Sequence, residues 1–224
     1  MSAAAAASGP ANGSASGPVP AAAREVFGAG VELAQRYAEL LAGEGIIRGV
    51  IGPGEATRIW SRHLLNSAAL AALVPDAVRV ADLGSGAGLP GIPLAIARPD
   101  LSLVLVEPMA RRVRFLRDCI GALGLDSVEI VHARAEAGLE PPPDVVVARA
   151  VAPLHRLIGL ARALARPGGE LLALKGASAA EELRELPAGT DAELISVVLG
   201  GVPATVVRVR SLDRSGARAS GGGR

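Results

Sequence analysis

Residues 78–209 alternate short aliphatic runs with runs of helical period, and that alternation admits few folds. Aliphatic runs fall at 78–83, 101–106, 128–131, 145–148 and 170–174, with helical runs at 92–97, 110–123, 154–165 and 178–186. The aliphatic runs are apolar at nearly every position, as strands buried on both faces are. Strand and helix in repetition specify a parallel sheet covered by helices on both sides. Two further runs, 194–199 and 205–209, flank a Gly-Gly-Val-Pro turn, and strands joined so tightly must be antiparallel. The expectation is an α/β, Rossmann-like, seven-stranded sheet, mostly parallel with its last strand antiparallel.

Upstream of the sheet the pattern is helical. Val31, Leu33, Ala34, Tyr37, Leu40 and Leu41 recur at helical spacing, with Gly43 and Gly45 read as the stop. Residues 55–73 read as a second helix, ended by Pro75. Residues 1–23 carry no charge and almost no large apolar side chain, so they read as a disordered low-complexity tail. Residues 211–224 end in Ser-Gly-Gly-Gly-Arg and read as a flexible tail. One domain is expected over 24–210, with 24–75 as its helical N-terminal part.

Hydrophobic residues make up 50% of the chain and charged ones 20%, a globular composition. Aromatics are only 2%, so the core must be built mainly from Ala, Val, Leu and Ile. A formal charge of +1 excludes a polycation that coats nucleic acid by bulk charge, though not a local basic patch. Cys119 is the only cysteine, which excludes an internal disulfide and leaves no basis for a cysteine-built metal site. No apolar run reaches the length of a membrane span, and no basic segment followed by a Leu-rich stretch marks a secretory signal. The expectation is a cytoplasmic monomer without metal or membrane association.

The chemistry sits after the first strand, where residues 80–91 read Val-Ala-Asp-Leu-Gly-Ser-Gly-Ala-Gly-Leu-Pro-Gly. Glycines at 84, 86 and 88 leave room for a ligand pressed against the carboxyl end of a parallel strand, and they tolerate positive φ. Gly86, Gly88 and Gly91 also spell GxGxxG, the dinucleotide pattern. Asp82, however, stands two residues before the first glycine, and a carboxylate repels a pyrophosphate. It favours a cation, and S-adenosylmethionine (AdoMet) carries an ammonium and a sulfonium. Glu107 ends the second strand, where an acid can accept both hydroxyls of a ribose. Ala135-Glu136 follows the third strand, where adenine is expected. Each acid alone reads as an ordinary surface residue; the loop and three acids in register read as an AdoMet site. The fold expected is therefore the class I AdoMet-dependent methyltransferase fold.

The fourth strand ends Val-Val-Val-Ala-Arg-Ala-Val-Ala-Pro-Leu, which places Arg149 at the sheet edge beside the ligand. The Asn/Asp-Pro-Pro-Tyr of enzymes that methylate adenine amines is missing there. Cys119 lies in a helix, which disfavours a cysteine nucleophile for cytosine methylation. The block from Gly84-Ser-Gly-Ala-Gly-Leu-Pro-Gly to Arg98-Pro99, then Arg111-Arg-Val-Arg-Phe-Leu-Arg117, Arg149-Ala-Val-Ala-Pro-Leu154 and Leu172-Ala-Leu-Lys-Gly176, resembles the RsmG (GidB) family. Arg62-His-Leu-Leu-Asn-Ser67 resembles that family's Arg-His-Ile-Leu-Asp-Ser, with Asn66 replacing the usual Asp. The Asn-Leu-Thr often found before this block is missing.

The resemblance spans roughly residues 30–210. It implies AdoMet-dependent methylation of guanine N7 in 16S ribosomal RNA, with free rRNA or the 30S subunit as partner. It also implies AdoMet contacts at Gly84, Leu89, Ala135, Glu136 and Arg149, to which the residue-level reading adds Asp82, Gly86 and Glu107. Guanine N7 has an in-plane lone pair and no proton, so the reaction needs positioning rather than a general base. Arg149 and Lys175 are the candidates for gripping guanine O6 or a phosphate, since both only donate. Lys175 is also the sole lysine of the chain. Arg62, His63 and Arg114 are further candidates for RNA contact. Trp60 and Phe115 read as core rather than stacking platforms. A small-molecule methyltransferase and a noncatalytic AdoMet- or nucleotide-binding module stay open as alternatives.

Overall fold

The computed structural model describes residues 16–149 and 152–212. Strands β1 (Arg79–Leu83), β2 (Ser102–Val106), β3 (Glu129–Val131), β4 (Val145–Arg149), β5 (Glu170–Lys175), β6 (Ala192–Leu199) and β7 (Val202–Val209) form one sheet in the order β3-β2-β1-β4-β5-β7-β6. The first five pair in parallel, and β7 runs antiparallel to both β5 and β6. From β1 the chain builds outward through β2 and β3, then returns to lay β4 on the other side. That reversal opens a crevice at the carboxyl ends of β1, β2 and β4, the position where such sheets bind ligands.

The strands feed two cores by alternation. Val80, Leu103, Leu105, Val145, Val147, Leu172 and Leu174 point to one side. Ala81, Val104, Val106, Val146, Ala148, Leu171 and Ala173 point to the other. The first side is covered by α1 (Ala21–Phe27), α2 (Val31–Leu40), α3 (Asn66–Ala68), α4 (Gly91–Ala97) and α5 (Ala110–Leu123). The second is covered by α6 (Leu154–Leu164) and α7 (Ala179–Arg184). All four aromatic residues, Phe27, Tyr37, Trp60 and Phe115, lie in the first core, so Trp60 and Phe115 are core residues. The second core is wholly aliphatic.

Several elements differ from the sequence expectation. Gly43 and Gly45 do not stop the helix: π-helical turns over Leu41–Gly45 carry it on, and the chain turns at Gly49, which has φ +62°. Leu41, Ala42 and Gly45 are buried there, and that packing outweighs the glycines' cost of about 1 kcal/mol each in a helix. Residues 55–73 are not one α-helix. The stretch comprises 3-10 turns at Pro53–Arg58, π-helical turns at Ile59–Leu65, then α3, then 3-10 turns at Ala69–Ala72. Its burial covers more than one α-helical face, and the changes of pitch accommodate that. The hairpin turn is Gly200-Gly201, both with positive φ, and Val202 and Pro203 belong to β7. Pro203 is tolerated because β5 pairs only as far as Thr205, so the missing N–H leaves no ladder bond unmade.

Both tail boundaries also differ. Residues 1–15 and 213–224 lie outside the described residues, but α1 begins at Ala21 and Ala23 is fully buried. Alanine favours helix, and its small side chain allows close seating. A Cβ placed on Gly200 would come within 2.8 Å of Ala22 Cβ. At the other end Leu212 is buried in the second core, and its N–H donates to the Gly169 carbonyl at 2.9 Å. The ordered domain therefore extends beyond 24–210 at both ends. Among the described residues no helix is long and apolar enough to cross a membrane.

Candidate functional site

The glycine loop is held from beneath. Gly84 N–H and Ser85 N–H both donate to the Val106 carbonyl, at 2.9 and 3.2 Å. The buried Ser85 hydroxyl donates to the Asp82 carbonyl at 2.9 Å, and the Tyr37 hydroxyl, reaching from α2, donates to the Ala87 carbonyl at 2.7 Å. Gly84, Gly86 and Gly88 have φ of +70°, +60° and +96°, which favours glycine at each. Their surroundings differ. A Cβ on Gly88 would sit 2.4 Å from Ile92 Cδ1, and one on Gly91 would sit 2.4 Å from Leu105 Cδ2 and 2.7 Å from Asp82 Oδ2. A Cβ on Gly86 would meet only the Gly84 carbonyl, at 3.8 Å. Gly88 and Gly91 thus pack the loop onto the core, whereas Gly86 opens onto a cavity.

That cavity measures about 430 Å³, and its walls include Gly84, Gly86, Leu89, Glu107, Arg112 and Arg149. This is within the range of small-molecule sites. Val50 and Ile51, from the turn after α2, and Met109 also line it. Glu107 is 1% exposed; its oxygens accept the Gly86 N–H and the Met109 N–H, each at 2.9 Å. Two of its roughly four lone-pair positions remain for a ligand. The buried Arg112 Nε has no hydrogen-bond partner among the described residues.

A second cavity, about 540 Å³, lies beyond Arg149, which lines both. Arg62, His63, Asn66 and Lys175 border it, with Glu55 and Pro203. The Arg149 guanidinium donates to the Arg62 carbonyl at 3.1 Å and to His63 Nδ1 at 2.8 Å. His63 is 5% exposed, and its Nε2 lies 2.7 Å from Glu55 Oε2. Burial and the Arg149 charge hold the His63 pKa below the ordinary histidine value. Burial tends to raise the Glu55 carboxyl, but its bond to His63 and the charges of Arg62 and Arg58 bring it below its usual value. Lys175 Nζ donates to the Ala152 carbonyl at 2.9 Å and to Glu182 Oε2 at 2.6 Å. Glu182 also accepts the Leu154 N–H at 2.7 Å, so this pair braces the chain that follows β4. Asn66 Nδ2 donates to the Pro203 carbonyl at 3.3 Å, a bond an ionised aspartate could not make.

Gly84, Gly86, Leu89, Glu107 and Arg149 therefore meet around the first cavity, and Arg62, His63 and Lys175 around the second. Asp82 does not line either. It is 0% exposed and turned under the loop, where Oδ2 accepts the Gly91 N–H at 2.9 Å and Oδ1 has no partner among the described residues. Burial, opposed by the Gly91 N–H, pushes its carboxyl up to about 7. The third strand ends at Val131 as expected, but neither Ala135 nor Glu136, which follow it, lines the first cavity. Ala135 is buried in the second core, and Glu136 is exposed on the 3-10 turn Ala135–Ala137. Arg114 is exposed on α5 and lines neither cavity, because Val113, Phe115 and Leu116 take the buried face. Cys119 is buried, which pushes its thiol up to about 12 and removes it as a nucleophile.

The contributions of Glu55, Tyr37 and Arg112 to the site escaped sequence reasoning. Only Glu55 carried a local signal, with Arg58 and Arg62 three and seven residues on, along one helical side.

A family model described as rRNA small subunit methyltransferase G matches residues 31–200, a span that holds the loop, Glu107, Arg149 and, from the second cavity, Glu55, Arg62, His63, Asn66 and Lys175. A ribosomal RNA small subunit methyltransferase G of Streptomyces coelicolor is 57% identical, over 75% of this chain and 71% of that protein. One of Frankia casuarinae is 48% identical, over 91% of this chain and 82% of its own. Among solved structures, a predicted O-methyltransferase from Agrobacterium tumefaciens superposes with a TM-score of 0.52 at 21% identity, covering 68% of this chain and 82% of that one. That likeness concerns the fold alone.

Proposed function

The chain belongs to the rRNA small subunit methyltransferase G family and is an rRNA methyltransferase; from that premise we propose that it methylates N7 of a guanine in 16S ribosomal RNA with AdoMet as donor. The observation that carries the reading is the position of Arg149 on the shared wall of two cavities, one nucleoside-sized and glycine-floored, the other bordered by cationic side chains. Such a pair suits a donor and an acceptor that meet at one point.

The residues present fit AdoMet. Glu107 keeps acceptor positions for the two ribose hydroxyls, and Gly86 leaves the approach clear. Asp82 lies beneath the loop with an unpartnered oxygen, so a cationic ligand above it is favoured and draws off its proton. When bound, AdoMet supplies a methyl group activated by its sulfonium. Arg149 spends two N–H groups on Arg62 and His63, and its remaining donors are free to hold guanine O6 or the donor's carboxylate. Lys175 has a third N–H available beyond Ala152 and Glu182. N7 bears no proton, so no side chain removes one, and catalysis rests on orientation with electrostatic help.

Tritium transfer from labelled AdoMet tests this, with naked 16S RNA, 30S subunits and small-molecule extracts as acceptors. Label recovered as 7-methylguanine from RNA is expected. Label confined to the small-molecule fraction, or to another base, overturns the reading.

A further inference from the structure

Among the described residues, a partly buried polar chain centred on the buried His63 crosses the wall between the cavities. It runs Glu55–His63–Arg149, through contacts of 2.7 and 2.8 Å. The donor inventory fixes its protonation. A guanidinium only donates, so His63 Nδ1 must be the bare, accepting nitrogen. Nε2 must then carry the proton and donate it to Glu55, which is the one arrangement that satisfies both contacts. Glu55 is anchored by Arg58 at 2.8 Å, with Arg62 Nε 3.7 Å away. The second bond from Arg149 goes to the Arg62 carbonyl, so the guanidinium plane is held at two points by one helical stretch.

We propose that His63 is a positioning residue that fixes the Arg149 guanidinium at the meeting point of the two cavities, with Glu55 holding His63 in the accepting tautomer. The inference rests on the methyltransferase reading only for its kinetic arm. The groups facing His63 are Glu55 from Pro53–Arg58, Arg149 from β4 and Arg62 from its own stretch. Behind Arg149 stand Tyr37 and Asp82. Protonating Nδ1 would turn the acceptor into a donor and place a cation against Arg149, releasing the guanidinium. Burial and Arg149 move that event to more acidic pH than for an ordinary histidine, and Glu55 opposes them only in part.

The test has a structural and a kinetic arm. The chain has three histidines, so ring nitrogen shifts in ¹⁵N-histidine-labelled protein can be assigned by substitution. In the ligand-free protein at pH 7.5, His63 should show the Nε2–H tautomer and respond to Arg149→Ala. An Nδ1–H tautomer, an imidazolium, or indifference to Arg149→Ala overturns the proposal. In the kinetic arm, His63→Ala should lower kcat for RNA methylation about tenfold. His63→Gln should recover to within about threefold of wild type, since its amide oxygen accepts and its NH₂ donates. Wild type should lose kcat on an acid limb that lies below the ordinary histidine range, and His63→Gln should lack that limb. Equal kcat for the two variants, or an acid limb kept in His63→Gln, overturns the proposal; if His63→Ala does not fold, His63→Gln and the ring shifts decide. Wild-type protein that methylates no RNA would count against the proposed function, while the tautomer result stands by itself.

Discussion

Replacing Asp82 by Asn removes a fully buried ionisable carboxyl and keeps an oxygen within reach of the Gly91 N–H. Burial pushes the Asp82 pKa up to about 7, from 3.8 for the unperturbed group. Between those values the folded chain binds more protons than the unfolded one, so stability is full below about pH 4 and declines as pH rises to about 7. From pH 5 to pH 7, where the folded group reaches half ionisation, the change is roughly 1.7 pKa units, or about 2 kcal/mol. For a chain of this length each kcal/mol shifts the unfolding midpoint by about 2–4 °C, so wild type should lose about 4–8 °C over that interval from this group. Asp82→Asn cannot ionise and should lack the decline. The assay is thermal unfolding of both ligand-free proteins at pH 5, 6, 7 and 8. Their difference removes the contributions of other groups, His63 included. Midpoints that run parallel from pH 5 to pH 8 would refute the reasoning.

The glycines of the loop should separate by role: Gly86→Val should weaken AdoMet binding at least about tenfold by calorimetry, whereas Gly91→Ala should cost about 1–3 kcal/mol of folding stability by overpacking Leu105. Wild-type affinity in Gly86→Val would show that ligand does not pass that point. A chain starting at Arg24 loses the first turn of α1 and the buried Ala23, and should melt several degrees below one starting at Ser16; equal midpoints would show the turn adds nothing. Glu182→Gln should reduce urea stability by about 1–3 kcal/mol, because Lys175 is 7% exposed and loses the charge it is paired with. An unchanged urea midpoint would mean that solvent replaces the carboxylate.

What was legible in the chain follows what is local. Residues 110–123 carry a helical period, and α5 has those bounds. The aliphatic run 145–148 appears as β4 with Arg149 added, because a parallel strand must be apolar on both faces whatever surrounds it. The glycine loop was legible for a similar reason, since positive φ at Gly84, Gly86 and Gly88 is a property of single residues. Contacts distant in sequence were not. Arg149 meets His63 across 86 positions, and no spacing rule predicts that. The inward turn of Asp82 depends on Gly91 lacking a side chain nine residues later. The shift from 3-10 to π pitch around Trp60 depends on how much of that stretch is buried, a tertiary matter. An Ala-only segment such as 21–23 signals nothing by hydrophobicity, yet it fits where a larger side chain would not.

The two-sided burial of the sheet raises a question of alignment. Residues 103–106 and 145–148 are aliphatic throughout, so a strand displaced by one position would still offer each core acceptable side chains. Polar groups at the strand ends forbid the displacement. At the amino ends Arg79 N–H meets the Asp144 carboxylate at 3.0 Å and its guanidinium meets Glu129 at 2.8 Å. At the carboxyl ends Asp82 meets Gly91, and Glu107 meets Gly86 and Met109. A slip would strand these groups, at about 1–3 kcal/mol for each one left buried and unpaired. The acids of the site thus act as index marks for the strands. A chain that exchanged Glu107 for an apolar residue would lose the mark that keeps β2 in step with the loop after β1, and with it the shape of the cavity.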